Sequence, residues 1–499
     1  MTDPRSPVVV GVGQVSQRVA AADARSPIDL LTDAARLADA DTEARASLLD
    51  HVGVVAIAAI GSWPYPDPGA LLARKLGISP KTTAVSTVGG NSPQLLVNEM
   101  AERIRHNELD VALIGGAESM HTRWRARREP RVELTWENGD DPPCEWVIGD
   151  GRPGASDYEA AHSALAPTMV YPLFETALRH AARRDIDSHQ RHVSELWARF
   201  AAVAAENPNA WSRTAYSPEE IRAVSPENRM VCFPYPKRMC ANIDVDQAAA
   251  LILCSFESAR AAGISEDRMV FLHAAAETHD HYFFSERDTL TESPGIAVAV
   301  ADAIDAASIS IDDISYFDLY SCFPAAVQVA TRSLKLADDD PRPLTVTGGL
   351  GFAGGPVNNY PTHAIARMVE VLRTEPAAFG CTTALGWYIS KHATGIWSAV
   401  PPAQGFRRVD ASMSQARVDA LPRREPAGLI DAEVTLEATS VAFERDGSPS
   451  LGILTALTAD GRRAIANTRD PDLLHAFTTE AQEGNTFRFG NDGATNTVA

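Results

Sequence analysis

The stretch from Thr345 to His363 reads TVTGGLGFAGGPVNNYPTH and runs directly into the amphipathic AIARMVEVLR. Glycine permits positive φ and close backbone approach, and Pro361 suits the first turn of a helix that begins there. A turn-rich segment ending at a helix N-terminus presents backbone N–H groups that hold an anion or polarise a carbonyl oxygen. Gly354, Gly355, Asn358 and Asn359 are therefore candidate ligand-binding residues, and His363 is a candidate acid/base group. A tight strand-to-helix connection with no ligand is the competing reading.

Four more segments carry polar residues in an ordered series: STVGGNSPQLLVNEMAERI and DVALIGGAESM upstream, DLYSCFPAAVQVA (Asp318 to Ala330) before the glycine-rich stretch, and GCTTALGWYISKHATGIWS (Gly380 to Ser398) after it. In this order and spacing the segments resemble the thiolase superfamily. The nearest branch is that of the sterol-carrier-protein-type thiolases and the acetyl-CoA acetyltransferases beside them. The resemblance covers roughly residues 7 to 400. It implies an α/β chain with the thiolase fold, a five-layered αβαβα unit of two similar halves. The first half is expected over 1–268, with a loop domain at about 120–248, and the second over 269–400.

The same resemblance implies a chemistry whose reactive groups are mostly absent. Thiolases make and break a carbon–carbon bond beside a CoA thioester, using a cysteine whose pKa a helix N-terminus lowers. That helix start is Val88-Gly89-Gly90-Asn91-Ser92-Pro93-Gln94 here, so the nucleophile position falls on Gly89 or Gly90. The family's Gly-His-Pro matches Gly354-Gly355-Pro356, its Cys-x-Gly matches Ala384-Leu385-Gly386, and its His-Asp-Cys-Phe matches Tyr320-Ser321-Cys322-Phe323. What remains polar is Asn91 and Ser92 at the helix start, Tyr320, Ser321 and Cys322 at one strand end, Asn358, Asn359 and His363 on the glycine-rich stretch, and Lys391-His392 near the end of the core. Ser92, Tyr320, Cys322 and His363 are the candidate catalytic residues: Tyr320 is a general acid/base or buried-strand filler, His363 an acid/base group or a satisfied helix-start histidine, and Cys322, the one thiol kept from a family motif, a reactive or a buried structural cysteine.

Three functions follow from the resemblance. The first is a thiolase-like, acyl-CoA-associated protein of the acetyl-CoA acetyltransferase family in which ordinary thiolysis or condensation is not supported. The second is a retro-aldol lyase acting on a β-hydroxyacyl-CoA through tyrosines, as some thiolase relatives do beside a β-barrel partner. The third is a non-catalytic binder of acyl-CoA or of a protein partner. No cofactor is expected to be permanently bound, CoA or acyl-CoA being the ligand such a site admits. The chain is expected to be a monomer or a homodimer.

The elements that would position these groups alternate. VVVGV, VGVVAIAAIG, TTAVSTV and DVALIGGAES read as buried strands, with helical periodicity in PIDLLTDAARLADA, DPGALLARKLG and SPQLLVNEMAERIRH between them. That pace predicts a parallel or mixed sheet covered on both faces. From about Met120 to Ala248 the chain turns rich in Trp, Arg and Pro, with a convincing helix only over 172–205. Five arginines between Arg123 and Arg131 form a solvated face or meet the phosphates of an anionic ligand. After Pro401-Pro402 the pattern becomes period two, predicting an independent, mostly β unit over 401–499, perhaps a small barrel, closed by a frayed polar tail.

Composition narrows the partners. Hydrophobic content of 45% and charged content of 22% are ordinary for a globular protein. A net charge of −20 argues against nucleic acid. No apolar run reaches membrane-spanning length and the start MTDPRSPVVV lacks a leader pattern, so a cytoplasmic location is expected. The six cysteines show no CxxC spacing, and the adjacent His279, Asp280 and His281 would point to opposite faces of a strand, so no metal is expected.

Overall fold

The structure, a computed structural model, describes residues 2–129 and 131–498. Its first sheet runs in the order Thr82–Ser86, Val54–Ile57, Val111–Ser119, Asp246–Ser255, Pro7–Ser16. The second runs Ile314–Asp318, Phe379–Gly386, Lys391–Ser398, Val270–His279. Outside Ile314–Asp318 the Pro343 and Leu344 carbonyls accept hydrogen bonds from the Phe317 and Leu319 N–H groups, both at 2.9 Å. They take the place that Thr82–Ser86 holds in the first sheet, so the two halves share one topology. The sheets are stitched together where Val8 and Val9 pair with Phe271 and Val270.

Two helices, Ser92–Arg105 and Tyr360–Thr374, lie between the sheets. Leu96, Val97, Met100 and Ile104 of one, and Ile365, Met368, Val369 and Leu372 of the other, share a buried cluster with strands of both sheets. Both helices are buried on nearly every side at their N-terminal turns, as expected for a central layer. The helices Pro27–Asp41 and Pro68–Leu76 cover the outer face of the first sheet, and Pro294–Ala307 and Pro324–Ser333 that of the second. Local chemistry sets their ends: the Asp67 carboxylate accepts from the Ala70 N–H at 2.9 Å, and Gly77 stops the helix at φ +76°. The result is the five-layered αβαβα architecture.

Beyond the core, five strands close into a small barrel in the ring order Ala432–Phe443, Pro449–Thr458, Arg463–Thr468, Asn496–Val498, Thr486–Asn491. Closure comes from Ala432–Phe443 pairing with both Pro449–Thr458 and Thr486–Asn491. The polar end of the chain, as far as Val498, is thus no frayed tail; Ala499 lies outside the described residues. Asn496 is fully buried, and its side-chain amide donates to the carbonyls of Gly428 and Ile465 at 2.8 and 3.0 Å. The barrel's sheet also takes in Met230–Phe233 and Tyr235–Pro236 from the loop region, through Val441 opposite Phe233 and Ala442 opposite Cys232.

The loop region holds more helix than its texture predicts. Besides Pro167–Ala181 and Ile186–Glu206, it contains Asp157–Ala161 and Pro218–Arg222. Each short helix starts with a capping box, Ser156 with Glu159 and Ser217 with Glu220, and that spacing was readable in the sequence. Among the described residues no helix is long and apolar enough to cross a membrane.

Candidate functional site

The N-terminus of the Ser92–Arg105 helix meets the inner face of the second sheet. Ser92 Oγ donates to the Thr87 carbonyl at 2.7 Å, folding the Thr87–Asn91 turn back onto the helix start. The Ser92 hydroxyl is therefore a turn brace. A Cβ built on Gly90 would overlap the Tyr320 hydroxyl and lie 2.5 Å from the Leu385 carbonyl oxygen. On Gly89 it would lie 2.5 Å from Asn91 Oδ1 and 3.0 Å from Lys391 Nζ. Of the two positions to which the resemblance assigns the nucleophile, Gly90 therefore has no room for a side chain, and one at Gly89 would have to displace the Asn91 and Lys391 side chains. Tyr320 and Lys391 occupy that room.

Tyr320 follows the strand Ile314–Asp318, and its N–H donates to Thr383 Oγ1 at 3.0 Å. Its ring stands edge-on to Tyr360, with centroids 5.5 Å apart. Burial, with Cys322 alongside, raises the phenol well above its usual value, so Tyr320 is a protonated donor. Burial likewise pushes the Cys322 thiol up to about 12, which leaves it un-ionised and unreactive as a nucleophile at neutral pH.

The glycine-rich stretch is held by one buried carboxylate. Asp318 accepts from Thr345 Oγ1, the Val346 N–H and the Tyr360 hydroxyl at 3.0, 3.0 and 2.8 Å. From that anchor the chain sends Asn358 across the molecule. The Gly89 N–H donates to Asn358 Oδ1 at 2.9 Å, and Asn358 Nδ2 donates to the Ala59 carbonyl at 2.7 Å. Asn359 Nδ2 donates to the Gly116 carbonyl at 2.6 Å. Asn358 thus reaches the helix-start cluster, whereas Asn359 ties the stretch to the first sheet.

The other sequence-predicted residues lie elsewhere. His363 bonds through Nδ1 to Gln14 Oε1 at 2.8 Å, leaves Nε2 buried and unpartnered, and is lowered to about 3 by burial. It is a neutral ring packed on the first strand. A Cβ on Gly354 would overlap the Gln247 side chain, and the Gly355 N–H donates to the Asn242 carbonyl at 2.9 Å. These two glycines line up with Gln247 and Asn242 rather than with Gly89. Of the arginine run, Arg123 and Arg125 donate to the Gly61 and Val19 carbonyls at 3.0 and 3.1 Å; Pro130 within it lies outside the described residues.

Lys391, one of the remaining polar residues but not among the four catalytic candidates, belongs to the helix-start cluster. It sits opposite Gly386 in the strand pair and faces inward, and its amine donates to the carbonyls of Val88 and Asp150 at 2.7 and 3.0 Å. Burial lowers it to about 8, with Asp150 pulling the other way. The available signal was a lysine inside an apolar core strand, in a chain with only five lysines. Its neighbour His392 faces outward and joins Asp280 at 2.8 Å, beneath the start of the Pro294–Ala307 helix, where the Gly295 N–H also donates to Asp280 at 2.9 Å. That is the structural use of the His279–His281 triplet. A void of only about 10 Å³ lies on this outer face, lined by His392, Thr383 and part of Tyr320.

A larger cleft, of about 520 Å³, opens beside Gly351, Phe352 and Asn242. Its walls carry cations and aromatic rings beside the carboxylates of Glu227 and Asp244: Arg18 stacks over Trp211 at 4.1 Å, Arg238 over Tyr216 at 4.5 Å, and Lys237 stands beside them. Such a surface suits a phosphate-bearing, ring-bearing ligand.

Against known structures, the chain superposes on a monomeric SCP2-thiolase like protein type 1 from Mycobacterium smegmatis with a TM-score of 0.85 and 32% identity, covering 100% of both chains. It also shares its fold with human mitochondrial 3-ketoacyl-CoA thiolase (TM-score 0.55, 15% identity, 79% of this chain and 99% of that one). The Ltp2-ChsH2(DUF35) aldolase is similar at TM-score 0.57 and 18% identity, over 79% and 98% of the two chains. Residues 414–494 match the family model described as the thiolase-like protein type 1 additional C-terminal domain. A sequence comparison with curated proteins finds no match. With a thiolase core, an added barrel in the matching place and a full-length likeness above 30% identity, this chain belongs to the SCP2-thiolase-like proteins of type 1.

Proposed function

We propose that this protein binds acyl-CoA without forming an acyl-enzyme. The observation that carries the reading is at Gly90, where the space a nucleophile's Cβ would need is taken by the Tyr320 hydroxyl. A glycine forms no thioester, and the nearby thiol of Cys322 stays protonated. The cleft walled by Arg18, Lys237, Arg238, Trp211 and Tyr216 supports a CoA-like ligand, supplying local positive charge on a chain of net charge −20. Calorimetric titration with CoA and acetoacetyl-CoA should show saturable binding, weakened about tenfold or more in Arg238→Ala, the scale of one charge-assisted hydrogen bond. Intact mass after incubation with acetyl-CoA should show no acetyl adduct. Absence of binding, or an acetyl group on Cys322, would overturn the reading.

A second reading, the retro-aldol cut of a β-hydroxyacyl-CoA, is favoured by one observation: a protonated phenol stands at the former nucleophile position. Release of a carbonyl product from a 3-hydroxyacyl-CoA, falling about 100-fold or more in Tyr320→Phe, would establish it. No product from the wild-type protein would dismiss it.

A further inference from the structure

The geometry at Lys391 points to a covalent role: we propose that its amine captures the 3-oxo group of a 3-oxoacyl thioester as an imine. The inference rests on the thioester-binding reading above. Lys391 is buried, and it lies at the N-terminus of the 14-residue Ser92–Arg105 helix, where positive charge is disfavoured. The acid acting on it, Asp150, has its own carboxylate engaged by Arg152 Nε at 2.7 Å. A cation placed this way is not a salt-bridge partner. Lysines desolvated beside a reactive site are the ones that serve as amine nucleophiles.

The hydrogen bonds fit the neutral amine. Its two N–H groups are matched by two acceptors, the carbonyls of Val88 and Asp150, and the lone pair stays free. Because burial brings the amine to about 8, roughly a tenth of it is neutral at pH 7. A second group points at the same place. Asn91 Oδ1 is buried without a partner, and a Cβ on Gly386 would overlap it while lying 2.8 Å from Lys391 Cε. An unpartnered acceptor over the same glycine as the lysine is suited to hold the N–H of the carbinolamine that precedes the imine.

The step balances without a further reagent. The nitrogen lone pair adds to the C3 carbonyl carbon, and the π electrons move to oxygen. Both amine protons pass to that oxygen, which leaves as water, and a carbon–nitrogen double bond remains. Reaction at the C3 ketone keeps the thioester intact, whereas attack at the thioester carbonyl would expel CoA and leave an amide. The strap Gly149–Gly154 covers the amine through the Asp150 carbonyl, and it is fastened where Tyr282 Oη donates to the Arg152 carbonyl at 3.0 Å. Val88, on the other side, is half exposed, so the amine lies one residue layer from solvent.

The test treats the full chain with acetoacetyl-CoA or butyryl-CoA in the presence of cyanoborohydride, with calorimetry on both ligands and pentane-2,4-dione as a free ketone. Acetoacetyl-CoA should add its own mass less one oxygen atom, mapped to the peptide holding Lys391, and butyryl-CoA should add nothing. Pentane-2,4-dione should mark the same peptide. Lys391→Arg, checked for folding by its unfolding transition, should give no adduct. If acetoacetyl-CoA binds yet leaves no adduct, or if the adduct maps to another lysine, the imine proposal is wrong while the binding reading stands. If neither CoA ligand binds, both are wrong, whatever the free ketone does. A thioester-derived amide in place of the imine would also overturn it.

Discussion

Gly90 and Tyr320 behave as one unit, because the absent Cβ of one is the space of the other's hydroxyl. Gly90→Ala should therefore destabilise the fold by about 1–3 kcal/mol, the usual scale of overpacking. In a Tyr320→Ala background the same change should cost far less, and urea unfolding of the four proteins gives the coupling. Equal costs in both backgrounds would mean that the helix start simply shifts. Lys391 carries a pH signature. Its amine is lowered from an ordinary 10.5 to about 8, so the folded state pays for holding the charge below pH 8, and that cost is relieved as pH rises from 8 towards 10.5. Relative to Lys391→Met, wild-type stability should rise over that window by on the order of 3 kcal/mol, the equivalent of the shift. His363, lowered to about 3, contributes stability that is present above 6.5 and lost as pH falls towards 3. The vacancy at Gly89 and Gly90 was legible, since glycine in a nucleophile's place is a statement about chemistry. What fills it was not. Tyr320 and Lys391 arrive from strands more than 200 residues away, and no local spacing announces which face of a strand a residue will take.

At the scale of elements, the strand Thr82–Ser86 would be an open edge of the first sheet, and an open edge is a template for a second chain. Here it is closed from within. Val85 and Ser86 pair in parallel with Val147 and Ile148, the Val85 N–H donating to the Trp146 carbonyl at 3.0 Å and the Thr87 N–H to the Ile148 carbonyl at 2.8 Å. The added C-terminal unit packs instead on the Pro167–Ala181 helix, where Ala438, Leu451 and Ile453 join its core. A monomer is the expected state in sedimentation. Replacing Trp146–Ile148 by Gly-Ser-Gly should uncover the edge and produce concentration-dependent dimers; a variant that stays monomeric at high concentration would show that the cap is not the cause. The core strands were legible because buried parallel strands read as unbroken apolar runs. A two-residue strand such as Val147–Ile148 has no periodicity to read, and its pairing depends on a partner 60 residues upstream.

At the scale of the whole molecule, the barrel is bound into the core by more than contact. Its sheet continues into Met230–Phe233, which belongs to the loop region, so cutting the chain near residue 400 would strip a strand of its partner. The same cut would leave Arg179, buried in the Pro167–Ala181 helix, without Glu483, and would expose the inner side of that helix. Conversely, Arg463 of the barrel is fully buried between Glu437, at 2.6 Å, and the carbonyls of Phe284 and Asp288, at 3.0 and 3.4 Å, in the second half. A buried charge left without its partners costs about 3–5 kcal/mol, which is comparable to the whole stability of many domains. Residues 1–400 alone should therefore aggregate or bind a hydrophobic dye, and residues 401–499 alone should show little amide protection. The intact protein should unfold in a single calorimetric transition. Two resolved transitions, or a soluble, folded 1–400 fragment, would show the barrel to be a separable appendage whose ties to the core are incidental.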